Sequence, residues 1–208
     1  MNKSDLLSAI TDICSEMESN KDLLISLDQQ SGDGDLGISM TDGFNAVRSF
    51  LERSDEQDLG KLVMKSGSAF NEAAPSSLGT ILSVGLMAMG KNLRGKETAS
   101  FKEFAESFDA GLKGIMHRAN SKPGEKTVLD SLCPAGQAYL DYGDDPQCAL
   151  MQAKSSAEAG CESTRDMVAV HGRAARYGDK TLGMLDGGAV AGMLIIRGIF
   201  NAFYNGKE

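Results

Sequence analysis

The sequence contains no tryptophan, two histidines, four prolines and four cysteines, and only 6% of its residues are aromatic. Each scarcity excludes something. The cysteines, Cys14, Cys133, Cys148 and Cys161, form no CxxC pair, and His117 and His171 stand far apart, so a zinc site has almost nothing to build on. Scattered thiols of this kind read as packing residues rather than nucleophiles. Alternating β-branched runs are missing, and with them any convincing strand. No apolar run is long enough to span a bilayer: Ala189 to Ile196 is the longest near the C-terminus, and Arg197 ends it. The first residues, Met-Asn-Lys-Ser-Asp, lack the apolar region of a signal peptide, so a cytoplasmic location is expected. Basic residues are also few, 21 against 29 acidic, leaving a net charge of −8. Such a field repels nucleic acid and anionic membranes, and an anionic small molecule would need a metal to mediate its contact.

What is present is helical. The 208 residues are 41% hydrophobic, enough for one domain over 1–208 with a real core. Ser4 reads as an N-cap for a stripe of Leu6, Leu7, Ile10, Ile13 and Met17. A short segment over 21–27 follows, then helices marked by Phe44, Val47, Phe50 and Leu51, and by Leu59, Leu62, Val63, Ser66 and Phe70. Ser76 or Ser77 caps the next, with Ile81, Leu82, Leu86 and Met89. Ser100 caps a strong repeat of Phe101, Phe104, Phe108, Leu112, Ile115 and Met116. Val128 to Tyr139, an Ala-rich stretch from about Gln147 to Met167, a polar loop over 170–188 and a final apolar helix, Ala189 to Tyr204, complete the chain. The spacing predicts about eight antiparallel helices in an all-α up-and-down barrel or bundle, with the last helix central because it is apolar around most of its circumference.

The chemistry concentrates in Asp28-Gln29-Gln30-Ser31-Gly32-Asp33-Gly34-Asp35, just ahead of a helix. Three carboxylates among glycines repel one another unless a hard cation neutralises them, and oxygen-only donors suit Mg²⁺ or Ca²⁺. The spacing fails the EF-hand pattern, because Leu36 and Asp42 fall where Gly and Glu are required. Gly90 to Glu97 lacks the Ser or Thr of a P-loop and follows a helix rather than a strand, so it reads as a helix stop. Asn71 to Thr80 offers small residues and a helix N-terminus that suits phosphate. Arg173 could pair with phosphate bidentately, and the glycines before Ala189 could seat a nucleotide.

Together, Leu27-Asp28-x-x-x-Gly32-Asp33-Gly34-Asp35-x-Gly37, Pro123-Gly124-Glu125-Lys126-Thr127-x-x-Asp130, Gly172-Arg173-Ala174 and Asp186-Gly187-Gly188-Ala189 resemble the nucleotide-binding L subunit of dihydroxyacetone kinases, over nearly the whole chain. The resemblance implies an eight-helix barrel with ADP or ATP at one end, held through two Mg²⁺ by Asp28, Asp33 and Asp35. It implies that Leu36, Gly37, Ile38 and Ser39 contact phosphate or ribose from the helix start. Ala73 and Ala74, with Ser76 and Ser77, would border the phosphates, and Ala119 and Val128 would line the adenine side. Arg173 would stabilise phosphate, and Gly188, Ala189 and Val190 would close the pocket.

The resemblance further implies that the sugar sits on a separate K subunit. A phosphohistidine carrier of the phosphotransferase system would serve as donor in one branch, and a homodimer is compatible with it. No general base is then needed in this chain. Three departures stand out: Leu36 replaces a His, Ser39 an Asn, and Asn71-Glu72-Ala73-Ala74-Pro75 a Gly-rich loop. They leave room for another short ketose, such as erythrulose. The rival enzyme reading resembles fatty acid kinases, which usually carry Pro-Asp-Gly-Asp-Thr-Gly and a long further chain; Ser31-Gly32 argues against it. The rival from another class is a non-catalytic metal-binding helical interaction protein, which would not bind Mg-ADP.

Overall fold

The computed structural model describes residues 1–204, which form nine α-helices and no strand among the described residues. They are α1 (Lys3–Ser19), α2 (Lys21–Asp28), α3 (Leu36–Arg53), α4 (Leu59–Ala73), α5 (Ser77–Asn92), α6 (Phe101–Ala119), α7 (Leu129–Asp141), α8 (Pro146–Ser163) and α9 (Gly187–Tyr204). Helix α1 and helices α3 to α9 each pack on the next, and α9 returns to α1, so eight staves close a ring. Helix α2 is the ninth: Asn20 ends α1, and the short α2 leans on α3, α9 and α1 at one end.

Local chemistry sets the boundaries. Helix α1 starts two residues earlier than Ser4 implied, because Asn2 and Asp5 exchange side-chain and backbone hydrogen bonds in a capping box. Ser100 and Glu103 do the same for α6, and Ser76, Asp58 and Asp145 cap α5, α4 and α8. Helix α8 stops at Ser163, short of Met167, and continues as a 3₁₀ turn over Thr164–Asp166. The 170–188 loop is less irregular than its composition implied, with 3₁₀ turns over Ala174–Thr181 that break at Gly178. Gly90 to Glu97 is a helix stop, with the Gly95 N–H bonded to Asp58.

The last helix is not central. Helix α9 is one stave, packed between α1 and α8 and also touching α7 and α2. Its all-round apolarity serves close neighbours on two flanks: Gly198 lies against the backbone of Ile13 in α1, and Gly192 against Val128 and Ser131. The uninterrupted run from Ala189 to Ile196 is too short to span a bilayer, but the whole helix, taken across Arg197, is long and apolar enough by length and composition to do so; half of it is buried inside the fold. The barrel interior is filled by side chains, including the edge-to-face pair Phe44 and Phe70, and by Tyr139 among Phe101, Phe104 and Phe108. A small apolar cavity of about 110 Å³ remains among Met1, Leu86, Met89 and Phe104.

Candidate functional site

An up-and-down ring brings every second connection to the same end. Here those are the segments between α2 and α3, α4 and α5, α6 and α7, and α8 and α9. They surround an open cavity of about 900 Å³. The opposite end is tied off by bonds such as Leu59 N–H to Lys96 O and the reciprocal pair between Met1 and Ala99.

One wall is the aspartate loop. Asp28 is the last residue of α2, and its Oδ2 accepts the N–H groups of Gly34 (2.7 Å) and Asp35 (3.1 Å), folding the loop back over the helix end. Gly34 holds φ +78°, a backbone that a side chain would strain, and a Cβ at Gly32 would overlap the Asp28 carboxylate. Asp35 occupies the N-cap position of α3 without using its side chain as a cap. Asp28, Asp33 and Asp35 each present a carboxylate oxygen, all within 4.8 Å of one another.

The electrostatics of this wall are unequal. The hydrogen bond from Arg173 holds the Asp33 carboxyl below the usual carboxylate range. Burial raises that of Asp35, and the charges of Asp33 and Asp28 raise it further. Three anionic oxygens converging without a nitrogen or sulfur donor fit a hard divalent cation, and such an ion would remove the repulsion carried by Asp35.

The facing wall is the segment between α8 and α9. Arg173 reaches across it to Asp33 at 2.6 Å. His171 Nε2 lies 2.6 Å from Glu125 Oε2, which also accepts the Lys122 N–H, and the His171 bond first holds the Glu125 carboxyl down at about 2. Below them Asp186 accepts the Ala189 N–H at the start of α9. Burial pushes its carboxyl up to about 6 against that bond, with Asp130 raising it and Lys126 lowering it.

The structure brings together Asp28, Asp33, Asp35, Leu36, Ser76, Ser77, Ala119 and Arg173 on the cavity surface. Gly37, Ser39, Ala74, Val128, Ala189 and Val190 are buried behind it, Ile38 points to solvent, and Ala73 and Gly188 lie beside it. Glu72 is exposed and does not line the cavity, and Leu36 packs against Gly187. The cavity also takes in residues to which the sequence assigned no role, among them Gln30, Arg118, Lys126 and His171. Lys126 lay in plain view inside a quoted motif, whereas Arg118 sits in a helix with nothing to mark it.

Residues 30–201 match the family model described as the DAK2 domain. The chain is 30% identical over 188 residues to the ADP-binding subunit DhaL of PEP-dependent dihydroxyacetone kinase 1 from Listeria innocua, covering 89% of each chain. It is 32% identical over 191 residues to human triokinase/FMN cyclase, covering 90% of this chain and 33% of that protein. The dihydroxyacetone kinase of C. freundii, solved in complex with AMP-PNP and Mg²⁺, superposes with a TM-score of 0.75 at 23% identity, over 94% of this chain and 33% of that one. The chain thus spans most of the Listeria subunit and about a third of the two longer kinases, and the C. freundii likeness speaks for the barrel fold.

Proposed function

Because this chain belongs to the DAK2 domain family, we propose that it is the nucleotide-binding subunit of a two-component dihydroxyacetone kinase, acting as one domain over 1–208. The observation that carries the reading is the convergence of three carboxylates within 4.8 Å on an open cavity, with Arg173 facing them. A nucleoside polyphosphate with its divalent counter-ion suits a cavity edged by carboxylates and a guanidinium, with Arg173 exchanging its Asp33 contact for phosphate oxygens; a bare anion or an apolar ligand suits it less. Asp28, Asp33 and Asp35 would hold Mg²⁺, two ions in the full reading, which supplies neutralisation of the polyphosphate and polarisation of the transferring group.

The chain's own groups do the rest. Arg173 presents a guanidinium suited to phosphate oxygens, alongside the Ser76 and Ser77 hydroxyls and the N-terminal N–H groups of α5. Leu36, Leu78, Ile81 and Ala119 offer apolar surface for a base. Phosphoryl transfer asks for positioning and charge stabilisation more than for a protein nucleophile, so no general base is assigned.

The ketose acceptor belongs on a separate K subunit, in keeping with the Listeria relative's name as one subunit of a kinase. The PEP-dependence in that name favours ADP retained as a coenzyme and recharged by a phosphohistidine carrier; a cytoplasmic location is part of the same proposal. The test is reconstitution. The isolated chain with Mg-ATP and dihydroxyacetone should form no dihydroxyacetone phosphate, and product should appear when a dihydroxyacetone-binding K subunit and a phosphoryl donor are added. Sustained turnover by the isolated chain would overturn the split assignment.

A further inference from the structure

Lys126 is the most heavily partnered side chain at the site. It is 5% exposed. Its ammonium donates to the backbone oxygens of Thr164, Thr181 and Met184, each at 2.7 Å, and lies 3.2 Å from that of Met167. Three N–H groups serve four carbonyls, a shell that fills the donor capacity of the amine. Burial pulls the lysine below its usual range; Asp186 opposes that shift and Arg165 adds to it.

The four carbonyls come from both limbs of one segment. Thr164 and Met167 lie where it leaves α8, and Thr181 and Met184 where it returns to α9. Arg173 and His171 stand between them. The limbs are also joined to each other, by the Ala169 N–H to Thr181 Oγ1 and by Arg165 with Gly183. Lys126 does something different: it fastens the base of the segment to the α6–α7 connection. Its chain neighbour Glu125 fastens the middle, through His171. Lys126 holds φ +60°, a left-handed backbone uncommon for a residue with a Cβ, which the surrounding bonds keep in place.

We propose that Lys126 is a positioning residue: its ammonium sets the 164–184 segment so that Arg173 faces the aspartate cluster, and so governs nucleotide affinity without touching the nucleotide. This rests on the nucleotide reading of the cavity. Arginine should not replace it, because a planar guanidinium cannot point three donors into a rounded shell of carbonyls.

The test uses the full chain as wild type, Lys126→Met and Lys126→Gly; the glycine variant removes the ammonium while relieving the backbone strain. Amide exchange over 164–184 should accelerate roughly tenfold or more in both variants. Affinity for Mg-ADP should fall roughly tenfold or more, while affinity for Mn²⁺ alone should not fall, because the aspartates sit on another loop and a displaced Arg173 only frees Asp33 as a ligand. In Lys126→Gly, n-butylammonium chloride should restore part of the Mg-ADP affinity, and tetramethylammonium chloride at equal concentration should not. Unchanged exchange in both variants overturns the proposal. So does a loosened segment with unchanged Mg-ADP affinity, or a parallel loss of Mn²⁺ binding, which would mark a general collapse. A wild-type chain that binds no Mg-ADP overturns the nucleotide reading instead, and the exchange measurement still decides whether Lys126 holds the segment.

Discussion

Asp186 shows how much of this site is set by single residues. Its carboxyl is pushed up to about 6, first by burial, with Asp130 adding to the rise and the Ala189 hydrogen bond and Lys126 opposing it. A carboxyl raised in the folded state favours the fold when protonated. That contribution is complete below about pH 4 and is lost as pH climbs through about 6. The variant Asp186→Asn should therefore gain on wild type as pH rises from 4 to 7, by on the order of 2 kcal/mol in urea unfolding. A gap that stays flat over that range would mean the carboxyl is solvated as in the unfolded chain. The aspartate cluster was legible in the sequence because its three carboxylates lie within eight residues, among glycines whose reasons are local. Lys126 was not legible as a hub, since its partners are backbone carbonyls that no residue type announces.

At the scale of elements, α7 and α8 meet through a proline and a glycine. Pro134 lies inside α7 and has no N–H to offer, so the Asp130 carbonyl loses its bond from the following turn. Gly160 of α8 lies directly against that carbonyl and the Pro134 ring, where a Cβ would overlap the oxygen. Alanine at an exposed helix position is worth up to about 1 kcal/mol over glycine. Here Gly160→Ala should instead destabilise the protein by about 1–3 kcal/mol, because the two helices would have to part. A thermal melt at or above the wild-type midpoint would show that α8 has room to move. The same Asp130 binds the N–H groups of Gly124 and Thr127 with its side chain, so this contact supports the α6–α7 connection beside the cavity. Periodicity revealed the helices because a buried stripe repeats every three to four residues. It could not reveal the turns over Ala174–Thr181, which end on the Thr181 carbonyl held by distant Lys126 and break where Gly178 takes φ +54°.

The whole molecule is a ring whose ends must find each other. Glu16 in α1 accepts hydrogen bonds from Arg197 Nε (2.7 Å) and Asn201 Nδ2 (2.9 Å) in α9, joining the first stave to the last. The barrel was legible from helix number and loop length, whereas the place of α9 was not. Apolarity on nearly all faces signals burial, and it does not distinguish an axis from a stave gripped on both sides. Ring closure is also what makes the site, because it gathers four connections remote in sequence around three carboxylates and Arg173. The central claim is that this mouth binds nucleotide through a divalent cation. Calorimetric titration of ADP into the wild-type chain, once with excess Mg²⁺ and once with EDTA, reads it directly. The account predicts affinity tighter with Mg²⁺ by roughly a hundredfold or more, about 2.7 kcal/mol. Equal affinity in the two titrations, or none in either, would contradict it.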